Sequence, residues 1–255
     1  MPSLILSDTN LLIVLIGACF AGFTTGFAGF GTGLIASGFW FHALPAGMVP
    51  PLVAITSVSA QIIGLIAVRK SFNIKHVSPL LMGAVLGVPL GVFILTLATP
   101  LIIKIVIGSF LLLYSVSQLF NPNRWLLRIQ PSAVQNSAVG AVGGFLGGFA
   151  GLSGPVPLIW LQLQSLPSDQ QRAIYQPFNL IVLSLAVFIM AIGGKIDLQL
   201  LQLFFLCLPL TLFFAWLGTK LYSKISEDLF RTLILLLLFC SGLILVLQTI
   251  FSGIQ

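Results

Sequence analysis

The chain has 255 residues, of which 58% are hydrophobic and only 6% are charged, and its net charge is +6. An ordinary soluble domain carries roughly a quarter of its residues as Asp, Glu, Lys or Arg, so this composition excludes a water-facing surface over most of the protein. The basic residues are scattered at the ends of hydrophobic runs, which is typical of membrane proteins and argues against nucleic-acid binding. At about 20 apolar residues per span, the length allows roughly eight to ten spans and no separate soluble domain.

Ten hydrophobic runs are separated by short breaks rich in charge, Pro or Asn. In hydrocarbon the backbone must satisfy its own hydrogen bonds, so these runs are predicted to be helices. The runs are 11–28, 30–44, 49–69, 77–98, 102–120, 133–149, 152–166, 172–193, 198–221 and 229–250. Runs 30–44 and 152–166 are short and interrupted by Gly or Pro, which predicts half-helices or re-entrant segments there.

The remaining composition argues against several kinds of site. The region 1–10 contains Asp8 and no basic residue, so a cleaved signal peptide is not expected. Cys19, Cys207 and Cys240 lie within apolar runs, which favours reduced structural thiols over metal ligands. Every acidic residue falls in a predicted loop or terminus, so we expect no cofactor, no metal and no buried carboxylate for a coupling ion. These residues are Asp8, Asp169, Asp197, Glu227 and Asp228.

The chain contains an internal repeat. Residues 22–29 read GFTTGFAG and residues 144–151 read GFLGGFAG, an offset of 122 residues. Further along, the offset becomes 127, which predicts a five-residue insertion in the second copy. Other matched pairs are Leu44-Pro45 with Leu166-Pro167, Ile74 with Ile196, Gly91 with Gly218, and Lys104 with Arg231.

The positions of Lys and Arg distinguish two interpretations of the Gly-rich pairs 11–44 and 133–166. If each pair is one broken span, the basic residues divide six to five between the two sides of the membrane. If each pair is a hairpin, nine share a side and only Lys104 and Lys195 lie opposite, as the positive-inside rule favours. The nine are Arg69, Lys70, Lys75, Arg124, Arg128, Arg172, Lys220, Lys224 and Arg231. The hairpins make the two halves inverted and place both termini outside the cytoplasm.

A binding site is predicted where the two hairpins turn, within 26–33 and 148–157. One hairpin enters from each side, so the two tips should meet near the membrane midplane. At each tip, backbone N–H groups lack intrahelical partners, and the half-helix that follows adds the positive end of its dipole. Such a site suits a small anion with several acceptor oxygens. The tip residues predicted to bind it are Gly29, Gly31, Thr32, Gly33, Gly151, Ser153 and Gly154.

Close helix packing is the alternative role for these glycines, because membrane helices associate through small residues. GxxxG spacing occurs at 22–26 and at 144–148, and Gly83, Gly87 and Gly91 form a longer stripe that we assign to packing. For the turn glycines, ligand binding and packing both stay open.

Polar side chains within the runs are the second indication of a site. Ser57 and Asn179 are matched by the 122-residue offset, and Gln61 lies four residues after Ser57. A mid-membrane amide needs a partner, whereas Ser and Thr can bond to their own helix. Arg172 either guides the anion or is one more positive-inside residue. The residues predicted to bind from these helices are Thr56, Ser57, Arg172, Gln176 and Asn179.

The sequence contains no Ser/His/Asp set, HExxH, CxxC or phosphate loop, so an enzyme is not expected. A membrane enzyme acting on a lipid would show clustered Asp, Glu, His or Arg at the interface. A membrane scaffold or insertion factor would not need a glycine turn repeated in inverted halves. An anion channel stays open, because two facing hairpins can form a pore as readily as an alternating site.

The chain resembles the TauE/SafE family of sulfite-exporter-like permeases. The resemblance rests on GFAGFGTG at 26–33, on GGFAGLSGPVP at 147–157, on Thr56-Ser57, and on Arg172-Ala173 with Gln176 and Asn179, and it extends over about residues 10 to 250. It implies transport, usually outward, of sulfite, sulfonates or related sulfur-containing anions across the bacterial inner membrane. Two departures affect the substrate: the first motif carries Gly31-Thr32-Gly33 where members often have a denser glycine run, and the first copy has Pro50-Pro51 near the position that corresponds to Arg172.

The predicted fold is therefore an all-α integral membrane protein with two inverted repeats. Each repeat contains a Gly-rich broken helical hairpin followed by three transmembrane helices. The predicted repeats are residues 1–124 and 131–255, which together form one transmembrane domain. The expected partners are a small anion, the lipid bilayer and a second copy of the chain in a homodimer.

Overall fold

The computed structural model describes residues 7–68, 74–120, 131–164, 166, 168–221 and 227–252. Several residues that carry the predicted charge asymmetry lie outside this part of the chain, and so do the side chains of Lys75 and Arg231. Those residues are Arg69, Lys70, Arg124, Arg128 and Lys224. The predicted orientation in the membrane therefore stays a prediction, as do the repeat boundaries 1–124 and 131–255.

The described residues form ten helices and no strand, one helix for each predicted run. They are α1 (Asp8–Ala28), α2 (Thr32–Ala43), α3 (Val49–Val68), α4 (Ile74–Leu97), α5 (Pro100–Phe120), α6 (Ala133–Ala150), α7 (Pro155–Leu163), α8 (Ser168–Ile192), α9 (Leu198–Leu221) and α10 (Glu227–Ser252). This architecture confirms the predicted all-α fold class. The three cysteines, all within the described part, are free thiols, as expected.

Six helices are long and apolar enough to cross a bilayer: α1, α4, α5, α8, α9 and α10. Large apolar side chains such as Leu86 and Phe188 are exposed on their outer surfaces, where only lipid can cover them favourably. By contrast, α2 has 12 residues and α7 has 9, which at 1.5 Å per residue is too short for a span. The prediction of two short segments is therefore confirmed.

Helices α1 and α2 form an antiparallel hairpin. The chain leaves α1 through Gly29 and enters α2 through Gly31, both in the left-handed region with φ of 80° and 102°. The two helices contact each other along their length, and the Trp40 indole Nε1 donates to the Val14 carbonyl at 3.0 Å. The Phe20 and Phe39 rings also stack with their centroids 5.8 Å apart.

Helices α6 and α7 form a second hairpin of the same kind. Helix α6 ends at Gly151, with φ of 72°, and the Trp160 indole Nε1 donates back to the Asn136 side-chain oxygen at 2.8 Å. A Cβ at Gly143 would lie 2.9 Å from the Pro157 ring, so these two helices also touch close to the turn. Both Gly-rich pairs are therefore hairpins, and the alternative of one broken span is wrong.

The two hairpins sit in equivalent surroundings. Helix α1 packs against α9, and α6 packs against α4, through glycines that bring backbone against backbone. In the α1–α9 interface, Gly22 contacts Thr211, Gly26 contacts Ala215, and Gly218 contacts Phe23. The matching contacts of the α6–α4 interface are Gly144 with Ala84, Gly148 with Val88, and Gly91 with Phe145. The hairpin residues in these pairs differ by 122 and their partners by 127. Both offsets of the sequence repeat therefore recur in the packing.

The direction of these contacts bears on how the halves are related. Along the α4–α6 interface, Gly83 meets Ser137 and Gly91 meets Phe145, so the two helices run parallel. If short connections reverse the chain direction from α1 through α4, α6 runs opposite to α1. This geometry supports the inverted arrangement, which stays a prediction.

Gly87→Ala should destabilise the protein. A Cβ at Gly87 would overlap the carbonyl oxygen of Ala141, so α4 and α6 would have to separate. Overpacking of this kind costs about 1–3 kcal/mol, and we expect a lower midpoint of thermal unfolding in detergent. Gly47→Ala is the control, because no heavy atom lies within 4 Å of a Cβ there. Equal midpoints for the two variants would contradict the packing role of the glycine stripe.

Candidate functional site

The tips of the two hairpins meet. A Cβ at Gly33, in the first turn of α2, would lie 2.6 Å from the Gly151 carbonyl oxygen and 2.9 Å from the Leu152 side chain. Glycine is therefore required at Gly33 for the first tip to approach the backbone of the second. The predicted meeting of the tips is confirmed, and its depth in the membrane stays a prediction.

A cavity lies where the tips meet, between α3 and α8. Its empty space, with the open mouth included, is about 270 Å³. Its lining residues are Gly31, Thr32, Gly33, Leu34, Ser57, Gln61, Gly151, Leu152, Ser153, Gly154, Pro155, Asn179 and Leu183. Eight of the twelve residues predicted to bind are among them: Gly31, Thr32, Gly33, Ser57, Gly151, Ser153, Gly154 and Asn179.

The two halves contribute to the cavity from corresponding positions. Ser57 on α3 and Asn179 on α8, which the 122-residue offset matches, both line it. Gln61 and Leu183 form a second pair at the same 122-residue offset. The other pairs are Gly31 with Ser153, Thr32 with Gly154, and Gly33 with Pro155. Both copies of the sequence repeat therefore line the cavity from matching positions.

Two helix N-termini point into this cavity. Helix α2 begins after Gly31 and α7 begins after Gly154, and neither N-cap residue supplies a side-chain hydrogen bond. The first N–H groups of a helix have no intrahelical partner, and they carry the positive end of the helix dipole. The two ends are unequal donors, because Pro155 and Pro157 remove two N–H groups from the first turn of α7. An anion would find most of its backbone donors on α2.

Side chains from α3 and α8 complete a polar wall. Asn179, 2% exposed, accepts a hydrogen bond from the Ser153 hydroxyl to its Oδ1 at 3.0 Å. Ser57 is 1% exposed and Gln61 is 3% exposed, and neither Ser57 Oγ nor Gln61 Oε1 has a hydrogen-bond partner among the described residues. A buried polar atom without a partner costs about 1–3 kcal/mol, so these atoms are poised to meet a ligand.

Gln61 is not among the residues that the sequence predicted to bind. A signal was present, because Gln61 follows Ser57 by four residues and therefore lies on the same face of α3. Thr56 was predicted to bind, yet it does not line the cavity and is fully buried within the protein. Its neighbour Ser57 takes the place at the cavity wall.

The remaining predicted residues, Gly29, Arg172 and Gln176, lie beside the cavity in a different arrangement. Three side chains on one face of α8 donate to three consecutive carbonyl groups at the C-terminal end of α1. The bonds are Arg172 Nη2 to Phe27 O at 3.4 Å, Tyr175 OH to Ala28 O at 2.7 Å, and Gln176 Nε2 to Gly29 O at 3.3 Å. We call these three side chains the α8 clamp.

The α8 clamp has a plain physical role. The last carbonyl groups of a helix lack intrahelical partners and carry the negative end of its dipole, so a cation and two neutral donors stabilise them. In this structure Arg172 and Gln176 therefore hold the first hairpin in place rather than face the cavity. Tyr175 was not predicted, because nothing in the sequence indicates that its hydroxyl reaches across to α1.

The second hairpin has no corresponding clamp. At the 122-residue offset, the positions of Arg172, Tyr175 and Gln176 are occupied by Pro50, Val53 and Ala54. A Cβ at Gly151 would lie 2.6 Å from Val53 Cγ1 and 3.1 Å from the Ala54 nitrogen, so this tip rests against apolar atoms and backbone. The two tips are therefore held to the rest of the protein by different chemistry.

Tyr175→Phe should lower stability by about 0.5–1.5 kcal/mol, because the half-buried Ala28 carbonyl loses its donor. The measurement is the midpoint of thermal unfolding in detergent. Ser117→Ala is the matched control, since that hydroxyl bonds only to the Tyr114 carbonyl of its own helix. If Tyr175→Phe unfolds no earlier than Ser117→Ala, the clamp does not hold α1.

No group of three His, Cys, Asp or Glu side chains that could hold a metal ion occurs in the described part of the chain.

Comparison with known proteins identifies the family of this chain. No curated protein and no solved structure matches the chain. A family model described as "Sulfite exporter TauE/SafE" matches residues 14–245, which is nearly the whole chain. The chain, a multi-pass membrane protein, therefore belongs to the TauE/SafE sulfite exporter family, whose members are membrane transporters and not enzymes.

Proposed function

We propose that this protein exports a small sulfur-containing anion, such as sulfite or a sulfonate, and binds it in the cavity between the two hairpin tips. The observation that carries the proposal is the convergence of two uncapped helix N-termini, those of α2 and α7, on one polar cavity. Helix N-termini bind oxyanions through their free N–H groups and their dipole. The family supplies the sulfur chemistry.

The bound anion would be held from three directions. Backbone N–H groups of Thr32, Gly33 and Leu34 face it from α2, and the Ser57 hydroxyl donates from α3. The Asn179 amide lies on the opposite side, on α8, next to Gly154. Such a set of neutral donors can hold an oxyanion and still release it, because no buried cation traps the charge.

We also propose an orientation of the protein in the membrane. The hairpins enter a bacterial inner membrane from opposite sides, with both chain termini outside the cytoplasm. The basic residues then concentrate on the cytoplasmic side, as the positive-inside rule requires. Inverted halves that place a shared site between two broken hairpins are the arrangement expected of an alternating-access transporter.

Transport by the purified protein in liposomes tests the proposal. We expect a saturable response to jumps in sulfite, thiosulfate, sulfoacetate or taurine and none to chloride. Ser57→Ala and Asn179→Leu should each raise the half-saturating concentration of the transported anion about tenfold, because each removes one hydrogen bond from a buried anion. Ser59→Ala is the control, since its hydroxyl bonds to the Ile55 carbonyl of its own helix and does not line the cavity.

Three results would count against the proposal, each in a different way. No response to any sulfur anion would remove the substrate class. A non-saturating response shared with chloride would indicate an anion channel. A sulfur-anion response that both variants keep unchanged would place the site away from the hairpin tips.

A further inference from the structure

The chemistry of the cavity restricts the form in which an anion can enter it. None of the lining side chains is ionisable, and the Arg172 guanidinium beside the cavity donates to the Phe27 carbonyl. The positive charge in the cavity lining itself is therefore the partial charge of the two helix ends. The cost of burying an ion rises steeply with its charge, and a second negative charge would have no cation to pair with. A singly charged anion is therefore favoured over a doubly charged one.

The balance of donors and acceptors adds a second restriction. Gln61 lines the cavity, and its buried Oε1 accepts no hydrogen bond from any described residue. The NH2 group of Gln61 can itself donate to an anion, but in the orientation that the structure shows the buried Oε1 atom still needs a donor. An oxyanion that carries only acceptor oxygens would compete with Gln61 for the donors of Ser57 and α2.

An oxyanion that carries its own O–H or N–H group removes this conflict. Its oxygens accept from Ser57 and from the N-terminus of α2, while its own hydrogen is donated to Gln61. Ser57 and Gln61 are one helical turn apart on α3, so one small ligand can reach both side chains. At the position of Gln61 in the other half stands Leu183, which offers no acceptor, and the Asn179 Oδ1 atom already accepts from the Ser153 hydroxyl.

We propose that the cavity selects a singly charged oxyanion that carries one hydrogen-bond donor, and that the Gln61 Oε1 atom accepts the hydrogen bond from this donor. For sulfite the selected form is hydrogensulfite rather than the dianion, and for a sulfonate it is one with a hydroxyl group on its carbon chain. The inference rests on the proposed function and deepens it. The substrate then brings its own proton into the site.

Two sulfonates that differ by one hydroxyl group test the effect of the ligand's hydrogen-bond donor on binding. Ethanesulfonate and 2-hydroxyethanesulfonate carry the same single charge and differ by one hydroxyl group. We expect the hydroxylated anion to compete with sulfite for the full-length protein about tenfold more strongly than ethanesulfonate does. In Gln61→Met, which keeps the length of the side chain but has no carbonyl oxygen, this preference should disappear. Ser59→Ala should keep it.

The affinity for sulfite, measured as a function of pH, tests the inference even if both sulfonates are too large to bind. Sulfite affinity should fall as the solution pH rises through the range in which hydrogensulfite loses its proton. Since the lining residues do not titrate, this fall reports the ligand. In Gln61→Met, hydrogensulfite should bind about tenfold more weakly than in the unchanged protein.

The failures of the two proposals are distinguishable. If no sulfur anion binds to the unchanged protein, both the proposed function and this inference are wrong. If sulfite binds with the same affinity on both sides of that pH range, the inference alone is wrong. The inference is also overturned if the two sulfonates compete equally, or if Gln61→Met keeps the preference for the hydroxylated one.

Discussion

The structure depends on the requirement that every backbone N–H and C=O group be satisfied away from water. A chain in hydrocarbon can leave the helical path only where protein or a cavity surrounds the break. Here the helical path breaks at 29–31 and at 151–154, and both breaks are turned inward against each other. The α8 clamp satisfies carbonyl groups at the first break. N–H groups at the start of α2 instead face the cavity, where a ligand can satisfy them.

Much of this arrangement could be predicted from the residues. The duplicated GFxxGFAG motif placed both turns, and the positive-inside count favoured hairpins over broken spans before any contact was known. Left-handed turns and close backbone approach both need glycine. The glycines of the motif therefore indicate where the chain turns, even without related sequences. The match of Ser57 with Asn179 also placed two cavity side chains correctly.

The partners of individual polar side chains could not be predicted in the same way. Arg172 and Gln176 looked equivalent to Asn179 in the sequence, yet they face the C-terminal end of α1 and Asn179 faces the cavity. The difference arises because α8 contacts the C-terminal end of α1 through Arg172 and Gln176 and reaches the cavity one turn later at Asn179. Residues one turn apart on α8 therefore meet different neighbours. Which carbonyl a donor reaches depends on the packing of helices more than 140 residues apart in the chain.

The most direct measurement is the location of a bound oxyanion. Selenite has the chemistry of sulfite, and its selenium scatters anomalously, so crystals grown with selenite can place one ion without ambiguity. We expect a single peak between the N-terminal end of α2 and the side chains of Ser57, Gln61 and Asn179. The peak should be weaker in Ser57→Ala crystals grown at the same, sub-saturating selenite concentration. A peak elsewhere in the molecule, or one unchanged by that substitution, would contradict a binding site at the meeting point of the hairpin tips.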